Sequence, residues 1–221
     1  MTDLTFEVAN STERVTLRDY TLVIAGFTGR NQAEVQHHID ELVAIGVPAP
    51  ESVPSYYPLD TSLVSSAPDV QVHGANTSGE VEPVLIRHDG RLYLTVGSDH
   101  TDRDLERDSI AVLKAACPKP VGNTVVALPE GFDWDSVGAT STVDGKLYQK
   151  GTLASLRVPT DVLAAYSAAT GNTDGDVIMF GGTLPLLDGQ FVPGATWELS
   201  LELPDSVQLT HTYTTHLSAR S

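Results

Sequence analysis

The chain contains a single cysteine, Cys117. No disulfide can form within it, and a reducing cytoplasm is the expected compartment. Cys117 itself reads as a small buried hydrophobe rather than a nucleophile. Positive charge is scarce: 13 Lys and Arg stand against 29 Asp and Glu in 221 residues, a formal net charge of −16. Such a surface repels phosphate backbones, which excludes nucleic acid as an expected partner. It also means that an anionic substrate needs a local cation, a metal or a lysine. No apolar run reaches the roughly 18 residues of a membrane span. The stretch Met1 to Glu7 lacks the basic and apolar regions of a signal peptide. Internal repeats and long charge blocks are missing. So are a Walker loop, a dinucleotide glycine fingerprint, a nucleophile-elbow serine and a CxxC pair.

What is present reads as one β-rich domain over residues 1–221, with an N-terminal strand region at 1–20. The 18 glycines and 13 prolines call for many turns. Residues 20–27 form a buried strand by composition. Val35, Ile39, Leu42 and Val43 recur at helical spacing over residues 31–45, and Gly46 and Pro48 end that helix. Residues 47–79 carry five prolines and little periodicity, and read as an extended loop that shapes a substrate site. Residues 80–87 and 91–96 form a hairpin around His88-Asp89-Gly90. A helix is expected from Asp102 to Ala116, with Asp102, Asp104 and Glu106 in its first turns. Strands follow at 123–128, 146–158, 176–180 and 195–203, with one helix at 159–168 that starts on Pro159.

Three groups of side chains could carry chemistry. Glu80 and Glu82 lie two apart in a strand, so they share a face. Two adjacent carboxylates repel unless a cation lies between them, and a hard divalent metal would serve; a solvated strand edge is the plainer account of the pair. Asp99 follows the next strand, where metal ligands gather, although aspartates in this run also serve as helix caps. His38 and Glu41 are three apart on one helix face, as a general base and its orienting carboxylate would be, or as an ordinary surface pair. Lys114 lies late in a helix, where a cation is favourable in any case. Lys119 lies between Pro118 and Pro120 and can project from an extended segment.

Taken in order, these pieces resemble the fumarylacetoacetate hydrolase superfamily. Gly29-Arg30-Asn31 with His38-x-x-Glu41 is similar to the family's G-R-N-Y-x-x-H-x-x-E segment, without the Tyr and with three extra residues before the histidine. Glu80-x-Glu82 followed by Val84-Leu85-Ile86 resembles E-x-E-x-A-V-V-I. Asp99-x-Thr101-x-Arg103-Asp104 resembles D-x-[ST]-A-R-D. Gly175-Asp176-Val177-Ile178 followed by Gly182-Thr183-Leu184-Pro185 resembles P-G-D-V-I and T-G-T-P. Pro193-Gly194-Ala195 resembles the closing L-x-P-G-D, with Ala195 in place of the aspartate. The interval from Glu82 to Asp99 is shorter than usual, as in a remote branch.

The resemblance implies an α+β, β-rich fold: a mixed β-roll or β-sandwich with few short helices. It implies Mg²⁺ or Mn²⁺ on Glu80, Glu82 and Asp99, with His38 and Glu41 as the catalytic pair. A lysine belongs near the metal, and Lys119 is preferred to Lys114 because its prolines take it out of the helix. Arg30, Lys114 and Thr183 fall at substrate-binding positions. The implied activity is hydrolysis of a C–C bond in a 2-oxo or 1,3-dicarbonyl acid through a metal-bound enolate. Decarboxylase, hydratase or isomerase activity, or a non-enzymatic β-rich ligand-binding module, are the alternatives. The expected partner is a small anionic acid, with no membrane. A C2 homodimer is also expected, because Val177-Ile178-Met179-Phe180 is apolar on both faces and one face would need cover. The helix at 159–168 is the other candidate cover.

Overall fold

A computed structural model describes residues 3–105 and 109–218. Two sheets dominate. The larger has eight strands in the order Arg14–Leu17, Leu4–Val8, Thr124–Ala127, Arg91–Ser98, Val81–His88, Asp176–Phe180, Tyr20–Gly26 and Ser55–Leu59. The smaller has five: Lys146–Thr152, Gly138–Val143, Thr196–Glu202, Gln208–Leu217 and Asp69–Val72. The large sheet mixes parallel and antiparallel pairs, for Asp176–Phe180 runs parallel to Tyr20–Gly26 and antiparallel to Val81–His88.

Alternation along the central strands divides the interior in two. Leu22, Ile24, Val84, Ile86, Ile178 and Phe180 join one core, with Phe6 and Leu17. Their neighbours Val23, Ala25, Leu85, Val177 and Met179 join the other, against Trp197, Leu199 and Tyr213 of the small sheet. Three helices lie among the described residues: α1 (Gln32–Ala44), α2 (Ile110–Ala115) and α3 (Pro159–Thr170). No helix there is long and apolar enough to cross a membrane.

Local signals explain several elements. Asn31 caps α1, its Oδ1 accepting from Ala33 N–H at 3.1 Å. Pro159 opens α3, and Gly171, in the left-handed region at φ 74°, closes it. Asp89 and Gly90 have φ of 49° and 73°, so the hairpin turns on two residues and pairs His88 with Arg91.

Other expectations change. The helix expected from Asp102 to Ala116 is broken. Thr101–Asp102 pairs with Thr77–Ser78, Arg103–Leu105 is a 3₁₀ turn, and α2 starts anew behind its cap Ser109. Glu106 lies outside the described residues. The strand Gly138–Val143 was not anticipated, since its Thr-Ser-Thr centre shows no apolar alternation. The expected loop at 47–79 contains strands on the edges of both sheets, Ser55–Leu59 and Asp69–Val72, and Pro58 is tolerated there because an edge strand can leave its missing N–H unpaired. The apolar strand at 176–180, for which a homodimer was the expected cover, is covered within the chain. Val177, Ile178, Met179 and Phe180 are each 0% exposed within one chain, with α3 residues Val162, Leu163 and Tyr166 on one side. No partner is needed to cover that strand.

Candidate functional site

The two-residue turn at Asp89-Gly90 fixes the register of the hairpin, pairing Val81 with Ser98 and Glu82 with Gly97. Extending that register by one places Glu80 opposite Asp99, and Asp99 N–H donates to Glu80 C=O at 3.1 Å. The three carboxylates named from sequence therefore gather at one end of one hairpin. Asp99 and Glu82 are buried, with a side-chain exposure of 1% and a residue exposure of 2%, and Glu80 is partly buried, its side chain 14% exposed.

Beside them opens a cleft of about 300 Å³, lined by Glu80, Glu82, Lys114, Arg103, His38 and Thr183 among others. Lys114 reaches it from the last turn of α2 and forms a short ion pair with Asp99 Oδ2. Lys119 approaches from the other side, with its Nζ 2.9 Å from Asp99 Oδ1 and a further hydrogen bond to His100 C=O. Lys119 is fully buried and does not line the cleft. Both lysines meet Asp99, and Lys114 is the one that also lines the cleft, where the sequence reading preferred Lys119. Leaving the helix does expose Lys119 to Asp99, but on the side away from the cleft, where it pairs in the strand Lys119–Pro120 with Val64–Ser65.

Electrostatics follow from this packing. Burial raises the Asp99 carboxyl, but the charges of Lys114 and Lys119 outweigh it and hold the group well below the usual carboxylate range. Glu82 goes the other way: burial and the Asp99 charge push its carboxyl well up, only partly opposed by Lys114 and by the Gly182 N–H that donates to its Oε2 at 2.8 Å. That N–H comes so close because residue 182 is glycine. Its φ is +100°, and a Cβ there would sit 1.7 Å from Thr28 Oγ1. Burial lowers Lys119 and Lys114; on Lys114 the carboxylates Asp99, Glu82 and Glu80 reverse the effect and raise it.

The donor set suits a hard divalent cation: three carboxylates, two buried and one partly buried, of which Glu82 is pushed toward its neutral form by burial and by the Asp99 charge. Glu80, Glu82 and Asp99 would hold it, with Lys114 yielding its bond to Asp99. The donor atoms stand looser than in a closed cage. Among the described residues, the group whose donors all lie within 4.8 Å of one another is His88, Asp89 and Asp176, at the other end of the hairpin. Pairing within that group accounts for it, since His88 Nδ1 meets Asp176 at 2.8 Å and Asp89 is 86% exposed.

The remaining sequence candidates separate. His38 lines the cleft, and its Nδ1 is 3.8 Å from Glu41, which lies nearer to His37 at 3.3 Å. All three are exposed. Arg30 does not line the cleft. Its guanidinium forks onto Asp135 at 2.6 and 2.9 Å, and its Nε donates to Leu156 C=O. The substrate-binding position drawn for Arg30 is corrected accordingly: a bidentate pair already occupies the group. Thr183 lines the cleft, but its hydroxyl donates to Val81 C=O at 2.9 Å and accepts from Gln149 at 2.8 Å.

Two further residues join the site: Arg103, which falls in the Asp99-x-Thr101-x-Arg103-Asp104 segment without having been given a role, and Gln149, which had no sequence signal. Arg103 lies over the Phe191 ring at 3.4 Å, donates to Ser78 and faces Glu80 Oε2 at 3.0 Å. Gln149, 0% exposed, reaches across from the small sheet. Its Oε1 accepts from Val81 N–H at 2.9 Å and from Ser141 at 3.0 Å. Its Nε2 donates to Thr183 and to Leu184 C=O at 2.7 Å. It thereby clips the residue between Glu80 and Glu82 to the loop that carries Gly182.

The fold is shared with solved structures of fumarylacetoacetate hydrolase-like proteins. A fumarylpyruvate hydrolase from Pseudomonas aeruginosa, in complex with Mn²⁺ and pyruvate, superposes with a TM-score of 0.66 at 16% identity, over 98% of this chain and 97% of that one. A proposed fumarylacetoacetate isomerase/hydrolase from Oleispira antarctica gives 0.66 at 17% identity, over 96% and 99%. A 5-carboxymethyl-2-hydroxymuconate delta-isomerase from Mycobacterium smegmatis gives 0.60 at 16%, over 90% and 80%. No curated protein matches the sequence. Residues 25–213 match the family model described as "Protein of unknown function (DUF2848)", and the chain belongs to that family.

Proposed function

We propose that this chain is a metal-dependent enzyme that cleaves a carbon–carbon bond of a 2-oxo acid or 1,3-dicarbonyl acid. One observation carries the reading. Glu80, Glu82 and Lys114 line the inner part of a single cleft, and Asp99 is ion-paired to that Lys114. The Mn²⁺ and pyruvate of the Pseudomonas neighbour support it by likeness of fold.

A divalent cation, Mg²⁺ or Mn²⁺, supplies Lewis-acid polarisation of the substrate's oxygens when bound. Lys114 adds a fixed positive charge beside the oxygen on which negative charge develops. His38, at the rim of the cleft, takes a proton from water, and Glu41 steadies the resulting imidazolium. The hydroxide adds to the ketone carbon. The bond to the neighbouring carbon then breaks, its electron pair leaving as an enolate that is protonated to the product. Arg103 holds Glu80, and Gln149 holds the strand between the two glutamates.

One observation favours a second reading, decarboxylation of an oxaloacetate-like acid. Glu41 stands 3.8 Å from His38, so the base is not locked by a hydrogen bond. Loss of CO₂ needs the electron sink but no activated water. Acylpyruvates and oxaloacetate, assayed with wild type and His38→Ala, separate the two. Hydrolysis predicts that the substitution lowers acyl cleavage by about 10²–10⁴-fold. Evolution of CO₂ from oxaloacetate without acyl cleavage, insensitive to His38→Ala, would replace hydrolysis with decarboxylation.

A further inference from the structure

The cleft has two chemically different ends. Its buried end holds the charge, Glu80, Glu82, Lys114 and Arg103. The wall leading outward is apolar, built from Phe27, Val35, Leu42, Tyr57, Ile110 and Leu113. Four separate segments contribute to it: the turn after Tyr20–Gly26, α1, the edge strand Ser55–Leu59 and α2. Phe27 stands in the left-handed region at φ 57°, a conformation that disfavours a bulky residue, and its ring lies 6.1 Å from that of His38. Among the described residues lining this cleft, the lysine and the arginine both lie at the buried end, Lys114 beside Asp99 and Arg103 beside Ser78 and Glu80. The charged side chain on the outer wall is Glu34, in the first turn of α1.

Resting on the reading of the site as one for 2-oxo acids, we infer that the substrate carries one carboxylate only, at its 2-oxo end. Its far end is an uncharged aliphatic or aryl tail lying along Phe27, Val35, Leu42 and Tyr57. A second carboxylate at the tail would lose its hydration against apolar side chains, meet no lysine or arginine among the described residues of that wall, and face Glu34. The wall thus selects in two ways: it gains from apolar burial and it repels the charged competitor. An apolar tail gains about 4-fold in affinity for each methylene buried.

Titration calorimetry on the Mn²⁺-loaded protein tests this without relying on turnover. Pyruvate, 2-oxobutanoate, 2-oxopentanoate and 2-oxohexanoate form the monocarboxylate series. The pair 2-oxohexanoate and 2-oxoadipate has equal length and differs in the tail carboxylate. The expected result is a rise of about 4-fold per methylene along the series, with 2-oxoadipate at least about 10-fold weaker than 2-oxohexanoate. Tighter binding of 2-oxoadipate overturns the inference and leaves the 2-oxo acid reading standing. Failure of every 2-oxo acid to bind overturns both. Glu34→Lys places a cation on the outer wall and should narrow the 2-oxohexanoate to 2-oxoadipate ratio by about 10-fold. An unchanged ratio in that variant overturns the placement of the tail on this wall.

Discussion

Replacing Gln149 with leucine tests whether one buried amide holds the two glutamates in register. The leucine fills nearly the same space and removes all four hydrogen bonds, to Val81 N–H, Ser141, Thr183 and Leu184 C=O. The hydroxyls are the lesser loss. Thr183 keeps its bond to Val81 C=O, and Ser141 can rotate. The backbone groups of Val81 and Leu184 cannot move without moving the strand and the loop. Each buried polar group left without a partner costs about 1–3 kcal/mol, so Gln149→Leu should lose about 4 kcal/mol. That is a large share of the roughly 5–15 kcal/mol typical of a folded domain, yet it leaves the variant folded. Urea denaturation of both proteins reads the loss as a shift in midpoint at constant slope. The same variant should show a smaller rise in Tm on adding Mn²⁺, because Glu80 and Glu82 flank the released Val81. A loss below about 1 kcal/mol, together with an undiminished Mn²⁺ response, would refute the role given to Gln149.

Three further outcomes are expected. Mg²⁺ or Mn²⁺ should stabilise the fold by mass action, by about 2.7 kcal/mol at 100 times Kd, seen as a rise in Tm, and Glu82→Ala should abolish most of that rise; an equal response in the variant would remove Glu82 from the site. Lys114→Met should destabilise the metal-free protein by about 3–5 kcal/mol, since Asp99 and Glu82 lose a buried cation; saturating Mn²⁺ should recover much of this, and equal losses with and without metal would count against a shared cation site. Burial lowers the His211 imidazole to about 4, so the folded state resists protonation that the unfolded state accepts from about 6.5 downward. Stability from this group is complete above pH 6.5 and falls as pH drops toward 4, by at most about 3 kcal/mol; His211→Phe should flatten that window in urea midpoints taken from pH 7 to pH 4, and an unchanged slope would exclude His211 as its source.

The chain's local features were legible because their causes lie within a few residues. Asn31 and Pro159 open the two helices where the sequence places their starts, and Asp89-Gly90 sets its turn through φ alone. Where a signal was shared, the reading slipped. Asp102 was a plausible cap of a long helix, yet its Oδ1 accepts from Asp104 N–H at the 3₁₀ turn, and the helix proper waits for Ser109. The strand Gly138–Val143 hid its inward side chains among threonines and serines, because Ser141 is buried against the Gln149 amide rather than in an apolar layer.

By itself the sequence determined the hairpin and, through it, the meeting of the carboxylates. A two-residue turn leaves only one antiparallel register, and that register sets Asp99 across from Glu80, with Glu82 on the same strand face as Glu80. The tertiary structure decided everything that depends on distant segments. It chose Lys114 over Lys119 for the cleft, turned Arg30 onto Asp135, and gave Arg103 and Gln149 their work. It also covered Val177-Ile178-Met179-Phe180 on both faces within one chain. The physical reason is range. Turn geometry and strand alternation act over a few residues and can be read from their identities. The direction of a buried lysine or amide is settled by which charges and backbone groups the packed sheets bring within 3 Å, and the separation of those groups along the chain leaves no local trace.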